Sequence, residues 1–313
     1  MDLISELKTT GSEELVREYV SMRDHSTFKA GGKARYFAEP DTEEELKTLL
    51  RASKACSLKV FILGNGSNIL VSDDGFDGIV IKIGKGFSAI DIISEDSDEL
   101  IVEAGAGCLL SVFGNTVAQK GFEGSEFCCG IPGSMGGAVF MNAGAYGSEM
   151  KDIITEVTYI DPDSLDVAVC SVDECGFGYR TSVFEEKGYI VLKARARFKK
   201  GDLEQIKAKV SELRDKRVAS QPLEMPSAGS TFKRPQGYYA GALIQEAGLK
   251  GFALDESGAM VSAKHAGFVV NVGGKASATD IYNLICYIIE KVYQNSGVRL
   301  EPEVRLIGFD GRI

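Results

Sequence analysis

The sequence predicts an α+β fold with more than one core, and three observations carry that prediction. The chain has 313 residues, more than a single core of roughly 100–200 residues usually serves. Apolar residues recur with helical period in some stretches and in alternating or short continuous runs in others. These stretches do not follow the strict strand–helix–strand order of a doubly wound sheet.

Taken in order, Glu13 to Met22 puts Leu15, Val16, Tyr19 and Val20 at helical spacing and predicts a first helix. A second opens at Asp41–Glu45, with Asp41 as its cap, acids favourable to the helix dipole, and a stripe of Leu46, Leu49 and Leu50. Short apolar runs at Val60–Leu63, Ile69–Val71, Ile79–Ile83 and Leu100–Val102, each bounded by Gly, Asn or Asp, predict strands. Leu110, Phe113 and Val117 give a helix ending near Gly121. Further strands are expected at Val157–Ile160, Val167–Val169 and Tyr189–Phe198. In the last, Leu192, Ala194, Ala196 and Phe198 alternate with Lys193, Arg195 and Arg197. From Asp202 the period turns helical, with Ile206, Val210 and Leu213 ahead of Pro222 and Pro226, and the main domain boundary is drawn there. A long helix spans about Ser277 to Gln294 on Ile281, Leu284, Ile285, Ile288 and Val292.

Composition narrows the function classes. With 44% hydrophobic, 26% charged and 9% aromatic residues the chain reads as a folded globular protein. Its formal charge of −10 excludes a broad basic face for nucleic acid, so any anionic ligand must be held locally. The N-terminus shows no basic leader and no apolar run reaches the length of a membrane span, which predicts a cytoplasmic chain without a membrane partner. Seven cysteines at irregular spacing, with no C-x-x-C pair, suit reduced thiols. His25 and His265, the only two histidines, lie far apart in the chain, and no metal site is predicted.

Glycine is in excess, 36 of 313 residues, and concentrates in two segments. The first, Gly64-Asn65-Gly66-Ser67-Asn68, sits between two apolar runs. Its amides can make either a hairpin turn or an anion nest. A strand follows where a dinucleotide fingerprint requires a helix, so a Rossmann site is disfavoured. The second runs from Gly130 to Gly147 and holds six glycines and three alanines in eighteen residues. Side chains are thus removed along one path and backbone amides can approach a ligand. Pro132 and Asn142 within it suit a bound loop better than a packed helix. Two amide-rich loops fit a pyrophosphate-bridged dinucleotide without net positive charge.

These two loops resemble the FAD-binding signatures of the UDP-N-acetylenolpyruvoylglucosamine reductases, within the wider vanillyl-alcohol oxidase and PCMH-type flavin fold. The resemblance starts at His25-Ser26-Thr27-Phe28-Lys29-Ala30-Gly31-Gly32 and covers nearly the whole chain. It implies a two-part FAD-binding PCMH-type module followed by a smaller α+β substrate-binding domain. Residues 1–82, joined by 303–313, and 83–200 would form the two parts, and 201–302 the substrate domain. Cofactor contacts are implied at Gly64, Asn65, Gly66, Ser67, Asn68, Gly130, Ile131, Pro132, Gly133, Ser134, Gly137, Ala138, Asn142, Ala143, Gly144 and Tyr146. Phe177-Gly178-Tyr179-Arg180-Thr181-Ser182 resembles the segment with the family's catalytic arginine, Pro226-Ser227-Ala228-Gly229-Ser230 the one with its catalytic serine, and Leu300-Glu301-Pro302-Glu303 the one with its catalytic glutamate. Those roles fall on Arg180, Ser230 and Glu303.

The resemblance further implies ping-pong turnover in cell-wall precursor synthesis. NADPH gives a hydride to FAD, which N5 passes to UDP-N-acetylglucosamine enolpyruvate. Ser230 donates the proton that completes UDP-N-acetylmuramate, while Arg180 and Glu303 stabilise the enolate-like intermediate. Tyr179, Lys233 and Arg234, beside these positions, are expected substrate contacts, since basic groups suit a diphosphate. Read alone, each residue has an ordinary role in a turn, on the surface or in an ion pair. The chain resembles the family's second type, which lacks a substrate-capping loop. It departs from many relatives at Ala242, where they carry Lys, and in a longer segment 253–258. Three other readings are a flavin oxidase of the wider fold, a class that often attaches flavin through His or Cys and for which Cys128 and Cys129 adjoin one loop, a sensor that holds a nucleotide or flavin without turnover, and an α+β domain with structural glycines.

Overall fold

A computed structural model describes residues 2–309; residues 310–313, part of the C-terminal segment expected to join the first subdomain, lie outside it. The chain forms two compact units. One comprises the segments up to Arg17, Phe37–Asn65 and Ile79–Arg217, and the other Glu18–Tyr36, Gly66–Gly78 and the segment from Val218 onward. The sequence boundary at Asp202 precedes a helix that belongs almost wholly to the first unit.

In chain order the elements begin with α1 (Leu3–Lys8), β1 (Val16–Ser21), β2 (Lys33–Ala38), α2 (Glu43–Ala55), β3 (Lys59–Leu63), β4 (Ile69–Val71) and β5 (Phe76–Lys82). Next come β6 (Ile90–Glu95), β7 (Glu99–Gly105), α3 (Leu110–Gln119), β8 (Phe122–Glu123), α4 (Met135–Phe140), β9 (Gly144–Ala145), β10 (Ser148–Glu149), β11 (Ile154–Ile160), β12 (Val167–Ser171), α5 (Val183–Lys187) and β13 (Ile190–Lys200). The chain finishes with α6 (Leu203–Ser220), α7 (Ala240–Glu246), β14 (Ala259–Val261), β15 (Val269–Asn271), α8 (Ala278–Ser296) and β16 (Arg305–Ile307). Strands β1, β2, β5 and β3 pair in that order in one sheet.

The first unit is built on an antiparallel sheet in the order β12-β11-β13-β7-β6, with β8 pairing β13. The alternation in β13 sets its register. Ala194, Ala196 and Phe198 stand opposite Ala104, Val102 and Leu100, all buried. On the other face Arg195 bonds Glu103 at 3.0 Å and Glu156 at 2.5 Å, and Lys193 bonds Glu103 at 2.6 Å. A one-residue slip would bury these charges, so the register is strongly specified. Helix α3 covers the apolar face, its Phe113 ring 5.8 Å from that of Phe198.

The second unit centres on α8. Ile281, Leu284, Ile285, Ile288 and Val292 form one buried stripe with Leu243 and Ile244 of α7 and with Val261 and Val269 of the β14–β15 hairpin. Full burial of such side chains stabilises by about 1.5–3 kcal/mol each. A capping box of Ser277 and Asp280 starts α8, and Gly297 in left-handed conformation ends it.

Asp73 adds a second cap, accepting the Ala278 N–H at 2.9 Å, the Thr279 N–H at 2.7 Å and the Thr279 hydroxyl at 2.6 Å. Burial alone would raise its pKa, but the bonds from Thr279 and Ala278 outweigh it and hold the carboxyl below its usual range. Since the folded value is depressed, the stabilisation is complete above the unfolded carboxylate range near ~4 and is lost as pH falls through the folded value. Asp73→Ala is expected to cost about 1 kcal/mol at pH 7, the usual scale of a lost cap. Urea midpoints should show that gap closing as pH drops below about 4.

Two expected elements differ. Glu13–Met22 is not a helix: a short 3-10 turn at Glu13–Leu15 leads into strand β1, where only Val16 is buried. The β-branched and aromatic Val16, Tyr19 and Val20 suit a strand, and pairing with β2 overrides the helical spacing. The cap of α2 is Thr42, whose hydroxyl accepts the Glu45 N–H at 3.2 Å; Asp41 instead donates its own N–H to Glu45 Oε2 at 2.7 Å.

Candidate active site

In the first unit the two glycine loops meet. A Cβ on Gly64 would lie 2.5 Å from Ser134 Oγ, so the approach requires glycine, and Asn65 Nδ2 donates to Pro132 O at 2.5 Å. The second loop is not loop throughout. Ser134 caps the six-residue α4 within it, accepting the Gly137 N–H. A Cβ on Gly136 would come within 2.8 Å of Ala106 Cβ, so small-residue packing explains this glycine. The Met135 and Gly136 amides are taken by Cys108 O and Ala106 O, both at 2.8 Å. Of the expected cofactor contacts, Gly130, Pro132, Gly137 and Tyr146 are exposed and Ile131, Gly133 and Gly144 half-buried, whereas Ser134, Ala138, Asn142 and Ala143 are buried.

Arg180 sits on a turn closed by the Gly178–Thr181 bridge. Its backbone is left-handed at φ 56°, a strained setting for a non-glycine residue. The guanidinium donates to Gly144 O at 3.3 Å and lies 5.1 Å from the centre of the exposed Tyr179 ring. Two more bonds tie this turn to the glycine loop: Ser182 Oγ to Phe140 O at 2.6 Å and Asn142 Nδ2 to Gly178 O at 2.9 Å.

Sequence reasoning passed over Arg217. Its Nη1 lies 3.2 Å from where a Gly130 Cβ would be, and burial pulls its pKa down while Tyr146 opposes the shift. No carboxylate pairs with it among the described residues. The signal was present, since Ile206 and Leu213 are the buried positions of α6, with Val210 half-buried between them, and Arg217 continues that stripe four residues on. Tyr146, at φ 57°, reaches the same helix through its hydroxyl, 3.4 Å from Leu213 O. A half-buried cation beside an open glycine backbone suits an anion, and the diphosphate of a flavin dinucleotide fits that description.

In the second unit, residues 231–233 run beside 301–303. Glu303 N–H donates to Thr231 O at 2.8 Å, Lys233 N–H donates to Glu301 O at 2.8 Å, and Phe232 bridges Pro302. Thr231 is buried, held by Gly267 O and by the Val269 N–H on its hydroxyl at 2.9 Å. This fixes the exposed Ser230, which follows Gly229 at φ 75°, beside the half-buried Glu303. The first glycine loop enters the same group through Asn68, whose Nδ2 donates to Glu303 O at 3.1 Å while its carbonyl accepts the Arg305 N–H at 3.1 Å. Strand β16 continues parallel to β4 from that point. Gly66, adjoining Ser67, accepts the Thr27 N–H at 3.0 Å, which aligns the segment from His25 with this loop. Lys233 is paired with Glu301 at 2.5 Å, and the Arg234 guanidinium stacks 4.1 Å from the centre of the exposed Tyr239 ring. Ser230 and Glu303 thus lie in one unit and Arg180 and the Gly130 loop in the other.

The cysteines beside the second loop are poor nucleophiles. Burial pushes the Cys128 thiol well up and that of Cys129 to about 11, with Glu126 adding to both. Among the described residues no cluster of three or more His, Cys, Asp or Glu could hold a metal, and no helix is long and apolar enough to cross a membrane.

Two family models match the chain. Residues 34–165 match the FAD binding domain family, and residues 221–307 match the UDP-N-acetylenolpyruvoylglucosamine reductase C-terminal domain family. The chain is 48% identical over 294 residues to the UDP-N-acetylenolpyruvoylglucosamine reductase of Agathobacter rectalis, covering 92% of each. It is 43% identical over 309 residues to that of Clostridioides difficile, covering 99% of each. Its structure matches the crystal structure of the enzyme from Thermus caldophilus with a TM-score of 0.78 at 35% identity, over 93% of this chain and 99% of that one. The chain is therefore an FAD-binding oxidoreductase and belongs to the UDP-N-acetylenolpyruvoylglucosamine reductase family.

Proposed function

We propose that this chain reduces UDP-N-acetylglucosamine enolpyruvate to UDP-N-acetylmuramate for peptidoglycan precursor synthesis, with NADPH as reductant and ping-pong turnover. The observation that carries the reading is the near-full-length identity to reductases of that name. On this reading residues 1–82 and 83–200 serve the cofactor and 201–302 the substrate, a division supported by the two family matches, over 34–165 and 221–307.

FAD, when bound, supplies the hydride relay between NADPH and substrate. Gly64–Asn68 and the Gly130–Tyr146 segment hold it through backbone approach, and Arg217 offsets its charge. Arg180 takes the substrate carboxylate in its guanidinium fork, where negative charge accumulates once hydride has reached the terminal enolpyruvyl carbon. Ser230 gives its hydroxyl proton to the neighbouring C2, because a carbanion-like centre is basic enough to take a proton from an alcohol fixed in place. Glu303 assists at the same intermediate, a role supported by its tether to Thr231. Lys233, Arg234 and Tyr179 contact the sugar diphosphate, the basic pair matching its charge.

Mass spectrometry of the product tests this directly. Anaerobic incubation of the FAD-loaded protein with NADPH and the enolpyruvyl substrate should give a product two hydrogens heavier, and in D2O the new hydrogen at C2 should be deuterium. Unchanged substrate, beside active protein from a curated relative run in parallel, would contradict it.

A further inference from the structure

We propose that Asn142 is the positioning residue for Arg180, locking the Gly178–Thr181 turn onto the glycine loop. This rests on the reading of Arg180 given above. Asn142 has no accessible surface, so its side chain works within the protein. One amide hydrogen goes to Gly178 O at 2.9 Å and the other to Glu149 Oε2 at 3.0 Å, while Oδ1 accepts the Lys151 N–H at 3.0 Å. Both donors are therefore committed to two different segments, and the acceptor holds a third point.

The backbone explains why asparagine stands here. Its φ is 44°, in the left-handed region that asparagine tolerates best among residues with side chains. Glycine would adopt it too but could bond to neither Gly178 nor Glu149. Arg180 needs such a hold because its own φ is 56°, and strained residues persist only where their surroundings over-determine them. Ser182–Phe140 lies at one edge of the turn, and Arg180–Gly144 uses the functional guanidinium itself. Asn142–Gly178 is donated by a side chain of the glycine loop to the backbone of the turn.

The test is a cycle of Asn142→Gly, Arg180→Ala and the double variant, each loaded with FAD. Asn142→Gly, compared with the parent at equal FAD loading, should be slowed far less in its loss of flavin absorbance on adding NADPH than in the step that follows. The return of absorbance on adding enolpyruvyl substrate should slow roughly 10- to 100-fold, the scale for a misplaced catalytic group. Amide hydrogen exchange of residues 178–181 should rise. The double variant should be no slower than Arg180→Ala, because Asn142 acts through Arg180. Additive losses, or equal losses in both half-reactions, overturn the proposal. An unchanged Arg180→Ala variant overturns the functional reading instead, and the positioning role with it. Should Asn142→Gly fold poorly, Asn142→Asp combined with Glu149→Gln keeps the shape and the left-handed preference, removes both donors without opposing two carboxylates, and the same outcomes decide.

Discussion

Replacing Ser230 by alanine is expected to slow the substrate half-reaction by about 10²–10⁴-fold, the range lost with a positioned general acid. The NADPH half-reaction should stay within a few-fold of the parent. The reason lies in how the second unit presents this hydroxyl. Buried Thr231 and left-handed Gly229 fix the backbone on either side, yet Ser230 itself is exposed and free to face a ligand. Removing one Oγ leaves those supports in place, so fold and cofactor affinity should be spared. Stopped-flow absorbance resolves the two stages. A parallel loss in both would mean that Ser230 serves the cofactor, and no loss would mean that the proton comes from elsewhere.

The second large effect is expected at Arg180. Arg180→Ala should lower the substrate half-reaction by about 10²–10³-fold, the cost of removing one preorganised charge stabiliser. Arg180→Lys should recover only part, since an ammonium keeps the charge but not the planar fork. The comparison separates charge from geometry. Single-turnover rates at saturating substrate provide the readout, and full activity in Arg180→Lys would reduce the role to a point charge.

Much of this was legible in the sequence where one physical signal dominated. Alternation along Leu192–Phe198 read directly as β13 because one face packs on Phe113 and the other carries the Glu103–Arg195–Glu156 ion pairs. The stripe of α8 was equally clear because its apolar face meets a complete core. Where two signals competed, the outcome needed tertiary context. Leu15, Val16, Tyr19 and Val20 have helical spacing but β-prone side chains, and only a neighbouring strand decides between them. The second glycine segment mixes purposes, since Gly136 permits α4 to pack on Ala106 while Gly64 makes room for Ser134. Composition alone cannot divide glycines between packing and ligand approach.

At the site, Ser230 and Glu303 were named through family resemblance, and their adjacency rests on the bond from Glu303 N–H to Thr231 O, across some seventy residues of chain. No local pattern encodes such a pairing. Arg217 shows the converse. An arginine on the inward stripe of α6 was visible as a departure from amphipathic order. Its meaning emerged only when Gly130 was found against it.

The central claim is that one bound flavin takes electrons from NADPH and delivers them to an enolpyruvyl sugar nucleotide. Anaerobic titration of the FAD-loaded protein, followed in the visible range, tests it most directly. The account predicts that the flavin bands bleach with one equivalent of NADPH and return with one equivalent of UDP-N-acetylglucosamine enolpyruvate, without oxygen. Bands that bleach but do not return with that substrate, and return only when oxygen is admitted, would contradict it.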